Sequence, residues 1–495
     1  MPQPDILYVM CDQLRYDCIA AMGNPTVQTP NLDRLAARGM IFDNAYSTCP
    51  VCVAARCTIM TGCEPYRTGC YCNERPAPLD GQPEDISARC GPYLASVLRG
   101  AGYHSFGVGK FHTVPLFENL GFDVHLCTEE LWSPQERAQD SYARFIRDEH
   151  PEFDFIEQLH GERTDMYYMP QTSPLPAELT VEGYVSRRAA ELIRQNRADG
   201  RPYFGFVSFI GPHPPFAPPL PYNRMYNPDE MPNPVRGNLT CDHMDEQIPW
   251  MNRLIWADEL NDFSAREARA RYYGEISYID SCIGSLLDAV EAGGNAGNTL
   301  ICFFSDHGEM FGDHHAWQKE CFFEAACRIP FLVSWPKRIP ANARSHEIAA
   351  LTDLFGIAAC AAGIPELRDG ADILAAAQGG SGHEVLTAVH MRPGQHFKMM
   401  VRRGEYKYIF MANGGREQLF HLGQDRHELH NLAEEQPELL RRCRGFAAQY
   451  CARDGLRGAL DENGALKSYP FVCRPAERIR QFDASRGIGN FTVSS

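Results

Sequence analysis

Short apolar runs alternate along the chain with longer segments in which apolar residues recur at helical spacing. Four of the runs are mainly apolar and have the length of strands: residues 5–10, 104–108, 203–210 and 299–304. Such runs predict strands that are buried on both faces, as in a parallel sheet. Helical spacing over 181–197 and 265–292 predicts long helices between the strands. This order predicts an α/β fold with a large, mixed but mostly parallel sheet flanked by helices.

The pattern changes in the last quarter of the chain. A turn-forming Gln-Gly-Gly-Ser-Gly segment at 378–382 precedes four shorter runs with strand character: residues 384–389, 397–402, 406–411 and 418–422. A helix is predicted over 436–452. We therefore predict a main α/β domain at 1–375, a smaller C-terminal α+β subdomain with an antiparallel sheet at 376–465, and an irregular tail at 466–495.

Composition and charge narrow the class of partner. The 495 residues are 44% hydrophobic and 22% charged, which is ordinary for a globular protein. The net charge of −16 argues against nucleic acid as the main partner, because an acidic surface repels phosphates. Every apolar run is shorter than the roughly 18 residues of a membrane-spanning helix, so no membrane partner is expected. The first residues lack a basic region followed by an apolar one, so we expect no signal peptide and a cytoplasmic location.

The chain contains 19 cysteines, and the segment from Cys49 to Cys90 is especially rich in them. Without a predicted signal peptide, this odd number indicates reduced thiols rather than a disulfide framework. The C-x-x-C pair at Cys49 and Cys52, and the pair at Cys70 and Cys72, could instead bind a metal or act in redox chemistry. The second C-x-x-C pair that a zinc site requires is missing, which makes this alternative the weaker one.

The most informative stretch runs from Cys49 to Gly62. A cysteine-bearing loop leads into a helix-compatible segment, which would place Cys52 at a helix N-terminus, where free backbone N–H groups favour an anion. Arg56 follows one helical turn later, on the same face. A nucleophile beside a fixed cation suits attack on a sulfate or phosphate ester. Taken alone, the pattern also fits a buried cysteine and a surface arginine.

Candidate metal ligands follow directly after two of the predicted strands. Asp12 comes after the first strand, and Asp306 and His307 come after the strand at 299–304. Ligands of open α/β sheets gather at the carboxyl ends of the strands, so we expect these three side chains to lie together. They offer oxygen and nitrogen ligands to one divalent metal. On its own, Asp12 could equally cap a turn.

Basic side chains and histidines occupy similar positions. Lys110 and His112 follow the strand at 104–108, and alternation predicts that they point to the same side. His213 lies in a proline-rich loop after the strand at 203–210, where the proline rings restrict the backbone. Each also has an ordinary structural interpretation, namely a solvated sheet edge for Lys110 and His112 and a packed structural histidine for His213.

Two phrases resemble the family of formylglycine-dependent type I sulfatases, which belongs to the alkaline-phosphatase-like superfamily. The first is a C-x-A-x-R phrase that begins at Cys52, a variant of the family's C-x-P-x-R motif. The second is Ser-Asp-His-Gly-Glu at 305–309, with Lys319 further on. A single aspartate at the end of the first strand, Asp12 after Cys11, is similar to the choline-sulfatase and phosphonate-hydrolase branches. The resemblance implies an alkaline-phosphatase-like catalytic domain at 1–375.

The resemblance also implies a nucleophile and a metal. A maturation enzyme would oxidise Cys52 to formylglycine, whose hydrated form attacks the ester. Ala54, where the family usually has proline, leaves open which enzyme would carry out this modification. One divalent metal would be bound, with calcium as the usual family metal and manganese or zinc as alternatives. The implied metal ligands are Asp12, Cys52, Asp306 and His307.

The same resemblance implies the residues that bind and cleave the ester, in addition to Cys52: Arg56, Lys110, His112, His213 and Lys319. The three cations would hold the anionic group. A histidine would protonate the leaving alcohol, with His213 as the first choice and His112 as the second. The implied substrate is a small-molecule or saccharide sulfate ester.

Three functions are open from the sequence. The first is hydrolysis of a sulfate monoester, the second is hydrolysis of a phosphonate monoester or phosphodiester on the same scaffold, and the third is noncatalytic binding of a sulfated ligand with Cys52 unmodified. The irregular segment predicted at 126–180, the loop at 218–262 and the tail are expected to select the alcohol. The tail could also wrap around a second copy of the chain, which would give a homo-oligomer.

Overall fold

The computed structural model describes residues 3–74, 76, 79, 81–129, 136–154, 168, 170–238 and 245–475. Within these residues the main sheet consists of nine strands: β1 (Asp5–Cys11), β2 (Met40–Tyr46), β3 (His104–Gly109), β4 (Val124–Cys127), β5 (Tyr203–Phe209), β6 (Thr299–Ser305), β7 (Arg328–Ile329), β8 (Phe331–Ser334) and β9 (Ala343–Ala350). The order across the sheet is β4-β3-β5-β1-β6-β8-β2-β7, and β9 pairs with β2. The predicted α/β class with a mostly parallel sheet is confirmed.

Seven of the nine strands run in the same direction: β4 and β9, which pair in parallel with β3 and β2, and the five strands β1, β2, β3, β5 and β6. β1 pairs in parallel with β5 and β6, and β3 pairs in parallel with β5. β8 is antiparallel to both β6 and β2, so β2 again points the same way as β6. The carboxyl ends of all five strands therefore lie along one edge of the sheet, where the segments that follow them are brought together.

Helices accompany the main sheet: α1 (Pro30–Ala37), α2 (Cys52–Thr61), α3 (Pro65–Thr68), α4 (Ile86–Cys90), α5 (Leu94–Gly100), α6 (Ser141–Glu149), α7 (Val181–Asp199), α8 (Gln247–Leu254), α9 (Asp262–Ala292), α10 (Glu324–Cys327), α11 (Asp353–Ala361) and α12 (Ile373–Ala376). Leu7 and Val9 of β1 pack with α7 and α9, whereas Tyr8 and Met10 pack with α2, α5 and α11. Because helices cover both faces, β1, β5 and β6 are buried along their whole length. Among the described residues, every helix is too short or too polar to span a bilayer.

A second sheet lies in the C-terminal region and is antiparallel throughout, in the order β10 (Leu386–His390), β11 (Lys398–Arg403), β12 (Tyr406–Met411) and β13 (Arg416–His421). α13 (Pro437–Cys451) packs on it through Cys443 and Ala447. The antiparallel sheet predicted for this region is confirmed, while the domain boundaries stay predictions. The described part of the tail is tied to this region, because the Asn413 side chain hydrogen-bonds both backbone groups of Val472.

The prediction that residues 126–180 are irregular is wrong for part of this range. β4 ends within it at Cys127, and α6 occupies Ser141–Glu149. Asp140 caps α6, since its carboxylate accepts a hydrogen bond from the N–H of Ala143 at 2.9 Å. A nine-residue helix contains too few turns for its apolar face to stand out from a polar surrounding sequence.

Gly109 ends β3 with a φ of 108°. A Cβ there would lie 1.8 Å from the carbonyl oxygen of Ser208 on the neighbouring strand. We expect G109A to lower the free energy of unfolding by about 3–5 kcal/mol, since backbone strain adds to a clash between backbone atoms. Gly102 is a matched control with a φ of 93° and open space at its Cβ position. Denaturant unfolding should show a loss of only about 1–2 kcal/mol for G102A, and equal losses would contradict the clash.

Candidate active site

The predicted site residues come together at the edge of the sheet where β1, β2, β3, β5 and β6 end. The loops after these strands carry them in chain order: Asp12, Cys52, Lys110, His112, His213, Asp306 and His307. Arg56 reaches the same place from α2, and Lys319 from the segment that precedes α10. All of these side chains are buried except that of His112, which is partly exposed.

Cys52 is the first residue of α2, as its sequence context predicts. Asn73 supports this helix start from a neighbouring loop, because its Oδ1 accepts a hydrogen bond from the N–H of Val53 at 2.9 Å. The free N–H groups of a helix start favour negative charge on the residue that they face. Position 52 is therefore suited to an anionic nucleophile or to an anionic substrate group beside it.

Four potential ligand atoms, one each from Asp12, Cys52, Asp306 and His307, all lie within 4.8 Å of one another, and we name these residues the four-ligand cluster. The Sγ atom of Cys52 is 3.2 Å from Nε2 of His307 and 3.8 Å from Oδ1 of Asp12. The Nδ1–H of His307 donates to the carbonyl oxygen of Gly308 at 3.0 Å, which leaves Nε2 as the ligand atom. Two carboxylates, an imidazole nitrogen and an atom of residue 52 fit a divalent cation, and they are the predicted ligands.

Arg56 lies beneath the four-ligand cluster and is bonded on several sides. Its guanidinium donates to Oδ2 of Asp12 at 2.8 Å and to Oδ2 of Asp306 at 3.1 Å. It also donates to Oγ of Ser208 at 2.9 Å and to the carbonyl oxygen of Lys110 at 2.5 Å. The sequence predicts that Arg56 holds the substrate anion, whereas these contacts fix the two carboxylates. The Lys110 ammonium also reaches Oδ2 of Asp12, at 2.6 Å.

The cations around the four-ligand cluster control its ionisation. Burial and the Cys52 thiol favour the protonated form of Asp12, but the neighbouring cations outweigh them and lower its pKa. Burial likewise opposes ionisation of Cys52, but the surrounding cations, Lys319 first among them, hold the pKa of the thiol well below its usual value. Burial and the charge of Asp12 raise the pKa of Asp306. The pocket thus stabilises negative charge on Asp12 and on residue 52.

A chain of hydrogen bonds that the sequence analysis missed orients Lys319. Its Nζ donates to Oε1 of Gln13 at 2.5 Å, and Nε2 of Gln13 donates to Oε2 of Glu309. The buried Glu309 carboxylate also accepts a hydrogen bond from the hydroxyl of Tyr168 at 2.7 Å. Gln13 directly follows Asp12, and Glu309 is the last residue of the Ser-Asp-His-Gly-Glu phrase, so both positions could have indicated them. Nothing in the sequence connects Tyr168 with the site.

His213 follows β5 at the same edge of the sheet and is buried. Its Nδ1–H donates to the carbonyl oxygen of Pro214 at 2.9 Å, which fixes the orientation of the ring. The positive charge of protonated His213 is one of the causes that lower the pKa of Asp12. This placement is compatible with the predicted role as an acid for the leaving alcohol.

The alternation predicted for Lys110 and His112 is wrong, although both side chains lie at the site. β3 ends at Gly109, and His112 has a φ of 50°, so the backbone between them is not an extended strand. The N–H of His112 donates to Oε1 of Glu129 at 2.7 Å, which holds this turn. The His112 side chain is one of the causes that lower the pKa of the Cys52 thiol. The turn after the strand, rather than strand periodicity, brings both residues to the nucleophile.

Asp140 supports the turn that carries His112, because its Oδ2 accepts a hydrogen bond from the N–H of Glu129 at 2.8 Å. Burial raises the pKa of Asp140 to about 7, although three donated hydrogen bonds oppose the shift. The folded state then holds the proton more tightly than the unfolded state, so stability is lost as pH rises from about 4 to about 7. D140N cannot ionise and should escape this loss.

The measurement for Asp140 is denaturant unfolding of D140N and the wild type across this pH range. We expect the unfolding free energy of D140N relative to the wild type to grow by about 2–4 kcal/mol from pH 4 to pH 8. D140N should also lose a constant amount of unfolding free energy at every pH, because its new amide N–H faces the N–H of Glu129. A difference that does not change with pH would contradict the raised pKa.

Comparison with known proteins agrees with this geometry. A family model described as Sulfatase matches residues 4–364. An arylsulfatase of Clostridium perfringens (strain 13 / Type A) is 29% identical over 374 residues, which cover 71% of this chain and 73% of that protein. A choline-sulfatase of Rhizobium meliloti (strain 1021) is 29% identical over 441 residues, with 83% and 78% covered. A phosphonate monoester hydrolase structure from Agrobacterium radiobacter covers 94% of this chain and 100% of its own, with a TM-score of 0.72 and 23% identity, which shows a shared fold.

Proposed function

Because this chain belongs to the sulfatase family and is a sulfuric ester hydrolase, we propose that it cleaves a sulfate monoester to an alcohol and inorganic sulfate with a formylglycine made from Cys52. The observation that carries the proposal is the convergence of Cys52 with Asp12, Asp306 and His307. A protein that only binds sulfated ligands would need the cations, but it would not need a nucleophile inside a set of metal ligands.

Asp12, Asp306, His307 and residue 52 would hold one divalent metal. We propose calcium, because oxygen ligands predominate once residue 52 is a formylglycine, and the nitrogen of His307 leaves manganese and zinc as alternatives. When bound, the metal supplies Lewis-acid stabilisation of negative charge at the reacting oxygens. Arg56 keeps the two carboxylates in place, since its guanidinium donates to both of them.

The side chains around residue 52 have complementary roles in the proposed reaction. In its formylglycine form, the hydrate of this residue supplies one hydroxyl for attack on sulfur and a second hydroxyl for release of the sulfate. Lys110 and Lys319 bind the negatively charged oxygens of the ester. The Nδ1–H of His213 is committed to a backbone carbonyl, so Nε2 is the nitrogen that exchanges a proton. As an imidazolium, His213 gives its Nε2 proton to the leaving alcohol and becomes the neutral Nδ1–H form. His112 is the second candidate for this proton transfer.

Hydrolysis of a phosphonate monoester or phosphodiester is the alternative function. It is supported by the single aspartate at the end of β1 and by the fold shared with two phosphonate monoester hydrolases, at TM-scores of 0.72 and 0.73. Sulfate monoesters, phosphonate monoesters and phosphodiesters all carry a single negative charge at neutral pH. The cations of the site therefore do not discriminate between these substrates, and the shape of the pocket must do so.

We propose a small-molecule or saccharide sulfate ester as the natural substrate. Relatives of this chain are named choline-sulfatase, ulvan-active sulfatase and N-acetylgalactosamine-6-sulfatase, which spans both classes of alcohol. A maturation enzyme that accepts Ala54 in the C-x-A-x-R phrase is the proposed protein partner.

The test is a side-by-side rate assay with an aryl sulfate and an aryl phosphonate monoester, on protein whose conversion at Cys52 has been measured by peptide mass spectrometry. We expect kcat/KM for the sulfate to be higher by about tenfold or more. Faster hydrolysis of the phosphonate would favour the alternative function. Fully converted protein that binds inorganic sulfate but hydrolyses neither ester would contradict both enzymatic functions.

A further inference from the structure

Two buried carboxyl groups that have no role in the proposed reaction flank the loop that carries His213. Glu182 lies in the first turn of α7, and Glu275 lies in the middle of α9. Their side chains belong to residues that are only 5% and 7% exposed. In the part of the chain that the structure describes, neither carboxyl pairs with a cation. Burial of two acids without a cation lowers the stability of the fold, so their retention indicates a role.

The two carboxyls hold opposite ends of the His213 loop. The N–H of Gly211 donates to Oε1 of Glu182 at 3.1 Å, and the N–H of Ala217 donates to Oε2 of Glu275 at 3.1 Å. His213 lies between these two anchors in the chain, and the residues Glu182, His213 and Glu275 all line one small cavity of about 30 Å³. The loop is therefore suspended between α7 and α9, with one acid at each end.

The two carboxyls also approach each other. A Cβ built on Gly211 would lie 2.8 Å from Oε1 of Glu275 and 3.3 Å from Oε1 of Glu182, so both oxygens surround one point. Burial raises the pKa of Glu182 to about 7. Burial and the charge of Glu182 raise the pKa of Glu275 further above its usual range. Near neutral pH the pair therefore keeps one proton, preferentially on Glu275.

Other titratable groups around the pair do not compete for this proton. Besides His213, the groups that face Glu182 are two phenols and two thiols: Tyr142, Tyr278, Cys11 and Cys282. Burial raises the pKa of all four, that of Cys282 to about 12, so they are neutral near neutral pH. The state of the pair is thus set by its burial and by the mutual repulsion of its two members.

We propose that Glu182 and Glu275 are positioning residues for the proposed hydrolysis, in which two buried carboxyl groups fix both ends of the loop that holds His213. The inference rests on the proposed function for the role of His213. Loss of one acceptor would leave a buried N–H without a partner, and ionisation of both acids would push the anchors apart. Either change would move His213, and a displacement of about 1 Å can cost about 100-fold in rate.

The kinetic test compares E275L with E275Q. Leucine removes the acceptor for the N–H of Ala217, whereas glutamine keeps an oxygen there and resembles the protonated carboxyl. We expect E275L to lower kcat about 10- to 100-fold with KM changed less than about threefold, and E275Q to keep kcat within about threefold near neutral pH. Similar losses in both variants, or full activity in E275L, would overturn the inference.

Hydrogen–deuterium exchange of the peptide that covers 210–217 provides a readout that needs no turnover. At neutral pH we expect E275L to exchange about tenfold faster than the wild type and E275Q to match the wild type. At alkaline pH, where the pair loses its proton, the wild type should exchange faster than E275Q at the same pH. Unchanged exchange in E275L, or identical exchange at alkaline pH, would overturn the inference even if the enzyme hydrolyses sulfate esters. The expected exchange without any hydrolysis would support the anchored loop and count against the proposed function.

Discussion

Replacement of Cys52 by alanine should abolish ester hydrolysis, with a loss in kcat on the order of 10⁴-fold or more. The Sγ atom of Cys52 lies 3.2 Å from Nε2 of His307 inside the four-ligand cluster, and alanine leaves neither a thiol to be oxidised nor a nucleophile at this place. The fold should survive, because alanine fits the start of α2 and removes a single buried atom. C49A is the matched control, since Cys49 is equally buried three residues earlier and its thiol bonds to the Tyr71 carbonyl.

The measurement combines the rate assay with mass spectrometry of the peptide that contains position 52. Wild-type protein and C49A, each co-expressed with a formylglycine-generating enzyme, should show the aldehyde and should agree in kcat within about threefold. C52A should show neither the aldehyde nor turnover. Hydrolysis by C52A would exclude residue 52 as the nucleophile. Hydrolysis by wild-type protein with an unmodified thiol would exclude the formylglycine but not the site.

The strands of the main sheet could be predicted because their burial leaves a direct trace in the sequence. β1, β5 and β6 are covered by helices on both faces, so their apolar runs are unbroken. The order of strands across the sheet could not be predicted, because pairing depends on contacts between distant segments. β8 illustrates this limit, since a four-residue strand with three apolar residues gives no sign that it lies antiparallel between β6 and β2.

Much of the candidate site could be predicted for the same topological reason. Asp12, Asp306 and His307 follow strands that were predicted to be parallel, so their meeting at the carboxyl edge of the sheet was expected without knowledge of the strand order. The prediction that Cys52 supplies the nucleophile came from its position at a helix start and from the family resemblance. The structure adds that all four residues of the cluster fall within 4.8 Å of one another.

The parts of the site that could not be predicted depend on long-range contacts between side chains. The hydroxyl of Tyr168 bonds to Glu309, which lies 141 residues away, and Gln13 bonds to the same carboxylate from the other end of the chain. Arg56 was expected to face the substrate, because the sequence shows its charge but not the two buried carboxylates beneath it. A sequence indicates which residues reach an edge of the sheet, but not which of their charges are already neutralised there.

Loss of the Arg56 guanidinium should therefore destabilise the protein as well as inactivate it. We expect R56M to lower the free energy of unfolding by about 3–5 kcal/mol and kcat by about 10²- to 10³-fold. Methionine fills much of the same volume, but it leaves Asp12 and Asp306 buried without the cation that donates to both of them. R67M is the matched control, because Arg67 pairs with Asp369 at 2.7 Å but is about one-third exposed, where an ion pair contributes only about 1 kcal/mol or less.

Denaturant unfolding of R56M, R56K and R67M measures the contribution of Arg56 to stability. Each variant is unfolded first with a chelator and then with added calcium, which separates the effect of the positive charge from that of the guanidinium geometry. R56K keeps a positive charge but cannot donate to two carboxylates in one plane, so its loss of stability should lie between those of the other variants. Added calcium should restore part of the stability of R56M, since a divalent cation bound by Asp12 and Asp306 supplies the charge that the guanidinium no longer provides. R67M should not respond more strongly than the wild type. The opposite outcome is that R56M is as stable as R67M in the presence of chelator. That result would contradict the proposed role of Arg56, and it would show that protonation of Asp12 or Asp306 relieves the repulsion between these two carboxylates.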